Sequence, residues 1–368
     1  MRILFAVGAT GGHIYPAVAV AQELRKIYPE FEIRFVGPLK KLAAQIISKE
    51  GYCFTGIDSC PWNRSFNFWY LIKLCYNAIR SFIASFKYLL KIKPNIVIGF
   101  GSYACGPVLV ASYLLGISTI IHEQNLSFGI TNKILSYIAK KICLTYASKE
   151  SLRNKKIVTT GNPVRSDLII SREQEQISEK LKLFNLKEDK FTILIFGGSQ
   201  GSRTINKVVT QFLISKELNH YPFQMIFITG FGDFDQIKKE IEVAKDKVFL
   251  APYVFDMASA YTVADVIICR SGASSISEIT LCGIPAILIP YPYAAYNHQE
   301  ENAYYLKKHQ AAEVILEKDL NKEKLMNTLL DLYNNSDKLE IMRKNSKDLS
   351  NPSASKNIVE VIKSVINW

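Results

Sequence analysis

From Ser59 through His122 the chain carries not one aspartate or glutamate, although 33 acidic residues are spread over the rest of its 368 positions. So long a gap leaves the net charge of +12 unevenly distributed. A bilayer-crossing segment is missing as well: no stretch approaches the roughly 20 uninterrupted apolar residues that a span requires. Seven cysteines occur without a CxxC pair, and Cys105, Cys269 and Cys282 sit in apolar or glycine-rich contexts. Buried free thiols in a reducing compartment are therefore expected, rather than disulfides or metal ligands. No DxD-like acidic pair is read at a strand end, and His13 and His122 lack partners at metal-ligand spacing, so no metal is expected. A signal peptide is not expected either, because Met1–Val7 reads as a strand running straight into a glycine loop. There is no short repeat and no low-complexity segment.

What fills the acid-free stretch is distinctive. It holds Arg64, Lys73, Arg80, Lys87, Lys91 and Lys93 among Trp62, Phe66, Phe68, Trp69, Tyr70, Tyr76, Phe82, Phe86 and Tyr88. Helical spacing from about Trp69 to Leu90 gathers Ile72, Cys75, Tyr76, Ile79, Phe82, Ile83, Phe86 and Leu90 into a broad apolar stripe. Lys73, Arg80 and Lys87 recur every seven residues, on roughly the opposite side. One reading is a helix that packs this stripe on a sheet and leaves its lysines in water. The other is an anionic bilayer surface, which selects aromatics and cations without acids. The aromatic approach from Trp62 to Tyr70 tips the balance towards the membrane, with Trp69, Lys73, Tyr76, Arg80, Ile83 and Lys87 as contacts. Nucleic acid, the competing polyanion, is not expected because no reading motif is present.

The rest of the chain is globular, with 48% apolar and 21% charged residues. Its length suits two domains of about 150–180 residues. Strands are expected at Ile3–Val7, Glu32–Val36, Ile96–Ile98, Ser118–Ile121, Lys141–Leu144 and Lys156–Thr159. A second series runs Thr192–Phe196, Gln224–Thr229, Val248–Ala251, Val266–Cys269 and Ala286–Ile289. Helical segments alternate with both series, which predicts an α/β protein with parallel, doubly wound sheets. Gly161-Asn162-Pro163 breaks the pattern and predicts a hinge, dividing residues 1–162 from 163–350. Asn351-Pro352-Ser353 introduces a last helix over Ala354–Asn367.

Two glycine-rich turns follow apolar strands almost two hundred residues apart and open helices: Gly8-Ala9-Thr10-Gly11-Gly12-His13 and Gly197-Gly198-Ser199-Gln200-Gly201. Glycine lets the backbone turn sharply and approach a phosphate, and the helix start then offers N–H groups and a positive dipole end. Three further clusters stand where strands should end: Gly99–Pro107, which includes Tyr103, then His122–Asn125, and Arg270–Glu278. The His122–Asn125 tetrad is too polar to be expected in a core. In the third cluster small residues begin a helix that could hold a phosphate. Glu278 lies about one turn inside it, placed equally for a sugar diol or for capping. His298-Gln299 follows a Pro- and Tyr-rich loop, Pro290–Asn297, a plausible wall for a sugar.

Taken together, these motifs resemble the MurG family of peptidoglycan glycosyltransferases (glycosyltransferase family 28) over essentially the whole chain. Gly8–His13 is similar to the family's GGTGGH, His122–Asn125 to HEQN and Gly161–Arg165 to GNPVR. Gly197–Gly201 is similar to GGSQG, Arg270–Glu278 to RSGAxTxxE, and Asn297–Ala303 to xHQxxNA. Ala9 departs from the second glycine, and Ser275 and Ser277 fill a helix start where the family is also small and hydroxyl-rich. The resemblance implies the GT-B fold: two Rossmann-like domains facing a cleft, with residues 351–368 returning to the N-terminal domain. It implies inverting transfer of N-acetylglucosamine from UDP-GlcNAc to the 4-hydroxyl of the muramoyl group of lipid I, without a metal or other cofactor. It implies a peripheral protein on the cytoplasmic face of the cell membrane.

Roles follow by resemblance. Ser199 and the helix start Ala273, Ser274, Ser275, Ile276 and Ser277 would meet the donor diphosphate, and Glu278 the ribose. Backbone at Val254 would read uracil, Arg165 would close over the nucleotide, and Asn125 and Gln299 would hold the sugar. Thr10, Gly11, Gly12 and Tyr103 would line the acceptor side. His13 would be the general base, or else a residue that caps the helix or orients the acceptor. Two other readings stay open: a UDP-GlcNAc 2-epimerase, which needs neither lipid nor membrane, and a non-catalytic nucleotide-sugar-binding subunit.

Overall fold

The computed structural model describes residues 1–58, 68–147, 154–169, 173–198, 200–215 and 220–366. The chain forms two units. Unit 1 comprises Met1–Arg165 and Asn351–Trp368, and unit 2 comprises Ser166–Ser350.

In unit 1 the strands are β1 (Arg2–Ala6), β2 (Glu32–Pro38), β3 (Cys53–Ile57), β4 (Ile96–Gly99), β5 (Ser118–Glu123), β6 (Lys141–Leu144) and β7 (Ile157–Thr159). They pair in parallel in the order β3-β2-β1-β4-β5-β6-β7. Between them run α1 (Gly11–Ile27), α2 (Lys41–Lys49), α3 (Phe68–Ile92), α4 (Cys105–Leu114) and α5 (Ile130–Leu135). Successive side chains of a strand face opposite ways, and β1 shows why both faces must be covered. Ile3 and Phe5 join a core with α1, α2 and Ile358, Val359 and Ile362 of the last helix, α14 (Ala354–Ile366). Leu4 and Ala6 join the opposite core with Leu89, Val108 and Leu109. A strand buried on both faces reads as an unbroken apolar run, as Ile3-Leu4-Phe5-Ala6 does.

Unit 2 repeats the plan. Its strands β8 (Phe191–Phe196), β9 (Phe223–Ile228), β10 (Val248–Ala251), β11 (Val266–Cys269), β12 (Ala286–Leu288) and β13 (Ala312–Val314) pair in parallel. Their order is β10-β9-β8-β11-β12-β13. The helices are α6 (Gln174–Leu183), α7 (Arg203–Ile214), α8 (Phe234–Glu240), α9 (Met257–Val263), α10 (Ala273–Cys282), α11 (His298–Lys308), α12 (Lys322–Tyr333) and α13 (Ser336–Asp348).

Helix α3 departs from expectation. Among its described side chains Ser81, Ser85, Leu89 and Ile92 are buried, and Phe82 and Phe86 of the apolar stripe pack partly buried on the same core. Ile72, Tyr76, Ile79, Ile83 and Leu90 of the stripe are exposed. Ser85 is spared an unpaired hydroxyl because its Oγ donates to the Ser81 carbonyl at 2.7 Å. The packed face of the helix thus mixes these small serines with Leu89, Ile92, Phe82 and Phe86, and only part of the stripe is turned outward. Lys73, Arg80 and Lys87 are also exposed. At about 100° per residue they flank the exposed apolar ridge rather than opposing it. Arg80 lies over the Tyr76 ring (5.7 Å) and pairs at 3.8 Å with Asp58, just outside the acid-free stretch. Trp62, Arg64 and Phe66 lie outside the described residues, as does the side chain of Trp69.

Candidate active site

In an open parallel sheet the crevice lies beyond the carboxyl ends of the two strands where the order reverses. That point is between β1 and β4 in unit 1, and between β8 and β11 in unit 2. Each glycine loop therefore leaves the sheet at its unit's switch point.

In unit 1, Thr10 caps α1 through its backbone: its carbonyl accepts the N–H groups of His13 (3.0 Å) and Ile14 (3.2 Å). The Thr10 side chain makes no cap bond and is exposed, and the first turn holds no acid. Gly11, Gly12 and His13 thus begin a helix that brings no carboxylate of its own to its positive dipole end. The His13 ring lies across the switch point. A Cβ on Gly8 would stand 2.6 Å from its Cδ2, and one on Gly101 would stand 3.4 Å from its Cε1 and Nδ1. Gly8 must therefore be glycine for the imidazole to lie there, whereas Gly101 only contacts the ring and is glycine for its left-handed backbone. Beyond β4, Gly101 (φ 74°) and Ser102 (φ 73°) are left-handed, and the Tyr103 carbonyl accepts the Gly106 N–H at 3.2 Å. Burial pushes the Cys105 thiol up to about 12, so it stays protonated and its single S–H is shared between Gly101 O (2.6 Å) and Ala6 O (3.1 Å). It pins the ends of β1 and β4 together.

The His122–Asn125 tetrad corrects the sequence reading: it does not follow the strand but begins inside it, and His122, Glu123 and Gln124 are buried. Hydrogen bonding makes this possible. The Glu123 carboxylate, 4% exposed, accepts from Asn125 N (3.0 Å), Asn125 Nδ2 (3.2 Å), Gly129 N (3.0 Å) and Asn132 Nδ2 (2.9 Å). A carboxylate buried this deeply needs such donors, and together they hold the 124–129 loop in one shape. Asn125 is therefore fixed from below. His122 Nε2 lies 3.1 Å from the Gly161 carbonyl, and burial pushes the imidazole down to about 4, so it is neutral near pH 7. Gly161 itself has φ 82°, and a Cβ there would meet the Asn351 side chain at 2.6 Å. Arg165, 8% exposed, ends unit 1 with its guanidinium 4.5 Å from the centre of the Tyr15 ring.

In unit 2, the second glycine loop is compressed. A Cβ on Gly197 would fall 2.3 Å from Ser202 N, and one on Gly201 (φ 76°) would fall 2.2 Å from Thr229 O. Ser199 lies outside the described residues. Across the switch point, α10 opens at Ala273 after Gly272, with no acid in its first turn. Ser274, Ser275 and Ser277 are half-buried, and Ser277 Oγ donates back to Ala273 O (2.9 Å), while Ile276 anchors the turn in the core. Glu278 accepts the Tyr261 hydroxyl at 2.7 Å. Burial and the adjacent carboxylate hold that phenol well above its ordinary range, so it remains a donor. Val254 sits half-buried in the turn after β10, just before Asp256, which caps α9 by accepting Ser259 N (3.0 Å) and Ser259 Oγ (2.7 Å). Gln299 Oε1 accepts the Tyr291 N–H at 3.0 Å, and its own carbonyl accepts Ser271 Oγ at 2.7 Å. Its amide NH₂ is the group it can present to a ligand.

Arg270 had no assigned role in the sequence. It is buried and joins three loops: its guanidinium donates to Ile289 O (3.2 Å), Pro290 O (3.1 Å), Ser202 Oγ (2.7 Å) and the Glu317 carboxylate. Arg270 and Glu123 share one legible signal, a charge set directly against an apolar strand run. Tyr261 carries no such signal, since nothing local shows that a tyrosine inside α9 meets Glu278. An acidic DxD run does occur at Asp233-Phe234-Asp235, beyond β9. Its Asp233 is engaged by Asn206 Nδ2 (2.8 Å) and Arg203 (3.7 Å) of α7. Among the described residues, no group of three or more His, Cys, Asp or Glu is placed to hold a metal ion.

Two all-parallel, doubly wound units, each with a glycine loop at its switch point, are the two halves of the GT-B fold. Residues 3–144 match the glycosyltransferase family 28 N-terminal domain, and residues 192–358 match the glycosyltransferase family 28 C-terminal domain. The chain belongs to glycosyltransferase family 28. It is 40% identical, over 99% of its own length and 100% of the relative's, to a protein from Caldanaerobacter subterraneus subsp. tengcongensis. That protein is named UDP-N-acetylglucosamine--N-acetylmuramyl-(pentapeptide) pyrophosphoryl-undecaprenol N-acetylglucosamine transferase. The crystal structure of Acinetobacter baumannii MurG superposes with a TM-score of 0.73 at 26% identity, covering 99% of each chain. A UDP-GlcNAc 2-epimerase from Neisseria meningitidis shares the fold, with a TM-score of 0.68 at 17% identity over 99% of this chain and 100% of that one.

Proposed function

We propose that this enzyme transfers N-acetylglucosamine from UDP-GlcNAc to the 4-hydroxyl of the muramoyl group of lipid I, with inversion, giving lipid II. The observation that carries the reading is full-length identity of 40% to a relative with that name. Epimerases share only the fold at this level of identity, which does not favour them. In the proposed mechanism His13 removes the proton from the attacking hydroxyl, its ring held between Gly8 and Gly101. Thr10, Gly11, Gly12 and Tyr103 line the acceptor side. Ser199 and the N–H groups of Ala273, Ser274 and Ser275 at the start of α10 stabilise the departing diphosphate, with Ile276 and Ser277 completing the turn. Glu278, oriented by Tyr261, binds the ribose hydroxyls, and backbone at Val254 reads the uracil. Asn125 and the Gln299 amide hold the sugar, and Arg165 closes on the nucleotide. No cofactor takes part.

The exposed ridge of α3, flanked by Lys73, Arg80 and Lys87, supports peripheral attachment to an anionic membrane on the cytoplasmic side, with Trp69, Tyr76 and Ile83 as further contacts. No described helix is long and apolar enough to cross a membrane. Transfer of radiolabelled sugar from UDP-GlcNAc to a lipid I analogue tests the reaction. A product sensitive to β-N-acetylglucosaminidase is expected, and release of free N-acetylmannosamine without transfer would overturn the reading.

A further inference from the structure

We infer that Tyr15 is a positioning residue for Arg165, tying the placement of that arginine to the first glycine loop. The inference rests on the donor role proposed above for Arg165. Three observations carry it. The guanidinium lies 4.5 Å from the centre of the Tyr15 ring, and Arg165 is 92% buried there. A cation over an aromatic face is held most strongly when water is excluded. The same ring lies against Gly11, where a Cβ would meet it at 3.1 Å. Gly11, Tyr15 and Arg165 therefore form one packed series from the loop that carries His13 to the last residue of unit 1.

The backbone leading to Arg165 is held independently. Thr160 O accepts Asn351 Nδ2 and Asn357 Nδ2, each at 3.1 Å, and Gly161 O lies against His122. With the main chain held at Thr160 and Gly161, the Tyr15 face restrains the arginine side chain that follows. An arginine ordered in this way binds nucleotide without losing rotamer entropy at that moment. A lysine could not use the seat in the same manner, because it lacks a planar group to stack.

The test uses the full-length protein, with UDP affinity measured by titration calorimetry and transfer kinetics measured on a water-soluble lipid I analogue. Tyr15→Phe keeps the aromatic face and should stay within about twofold of the parent. Tyr15→Leu should raise the UDP Kd and the UDP-GlcNAc KM about three- to thirtyfold, with kcat changed less than threefold. Added to Arg165→Ala, it should have no further effect. Tyr15→Met, of similar bulk, repeats the test should the leucine variant fold poorly. Losses that multiply in the double variant, or unchanged UDP affinity in both Tyr15→Leu and Tyr15→Met, would overturn the inference. A parent protein that neither binds UDP nor transfers sugar would instead overturn the donor reading itself.

Discussion

A neutral imidazole acts as a base only where its lone pair reaches the departing proton, so the His13 assignment is decided by kinetics rather than affinity. His13→Ala should lower kcat by about 10²–10⁴ with UDP-GlcNAc affinity nearly unchanged. Glu278→Ala should do the reverse. Losing hydrogen bonds between a carboxylate and a diol costs about 1.5–3 kcal/mol, or ten- to a hundredfold in donor affinity. Normal turnover with weakened acceptor binding in His13→Ala would make that residue an orienter. His122 offers a test through pH. Its folded value, about 4, lies below the ordinary 6.5. Below pH 6.5 the unfolded chain takes up a proton that the folded chain refuses. Stability from this group is therefore complete above pH 6.5 and is lost as pH falls towards 4. The slope is about 1.4 kcal/mol per pH unit and the total about 3 kcal/mol. Denaturant midpoints at pH 7 and pH 5 should converge more in His122→Gln than in the parent; equal slopes would show that another group dominates.

At the scale of the element, α3 packs through Ser81, Ser85, Leu89 and Ile92, with Phe82 and Phe86 partly buried, and turns the rest of its apolar stripe outward. An isolated exposed leucine needs no explanation, but a ridge of Ile72, Tyr76, Ile79 and Ile83 bordered by cations does. Each lysine or arginine near an anionic bilayer contributes about 1 kcal/mol, so reversing three charges should weaken binding by at least about a hundredfold. Vesicle sedimentation of a folded Lys73→Glu, Arg80→Glu, Lys87→Glu variant checks this. Salt should release the parent partially, and turnover on a soluble acceptor should survive. Undiminished binding would make the ridge an ordinary solvent face.

For the molecule as a whole, the proposed mechanism leaves diphosphate departure to helix N-termini and hydroxyls, so activity should persist in excess EDTA. A tenfold loss restored specifically by Mg²⁺ or Mn²⁺ would overturn the metal-free mechanism. Much of the architecture was legible because its causes are local. The runs Ile3–Val7 and Thr192–Phe196 read as strands, and the glycines after them as turns into helices. Elements with weaker local patterns went unread: β3 is a half-exposed edge strand, β13 has three residues, and α12 and α13 are largely polar. By itself the chain determined two doubly wound units, the position of both glycine loops and the family motifs. These depend on periodicity and backbone freedom within a few residues. Tertiary structure alone decided that Glu123 is a buried staple, that Tyr261 orients Glu278, that Arg270 joins three loops and that α3 buries its serines. Each of those depends on which partner arrives from a distant part of the chain, and solvation at such a position is a property of the packed fold.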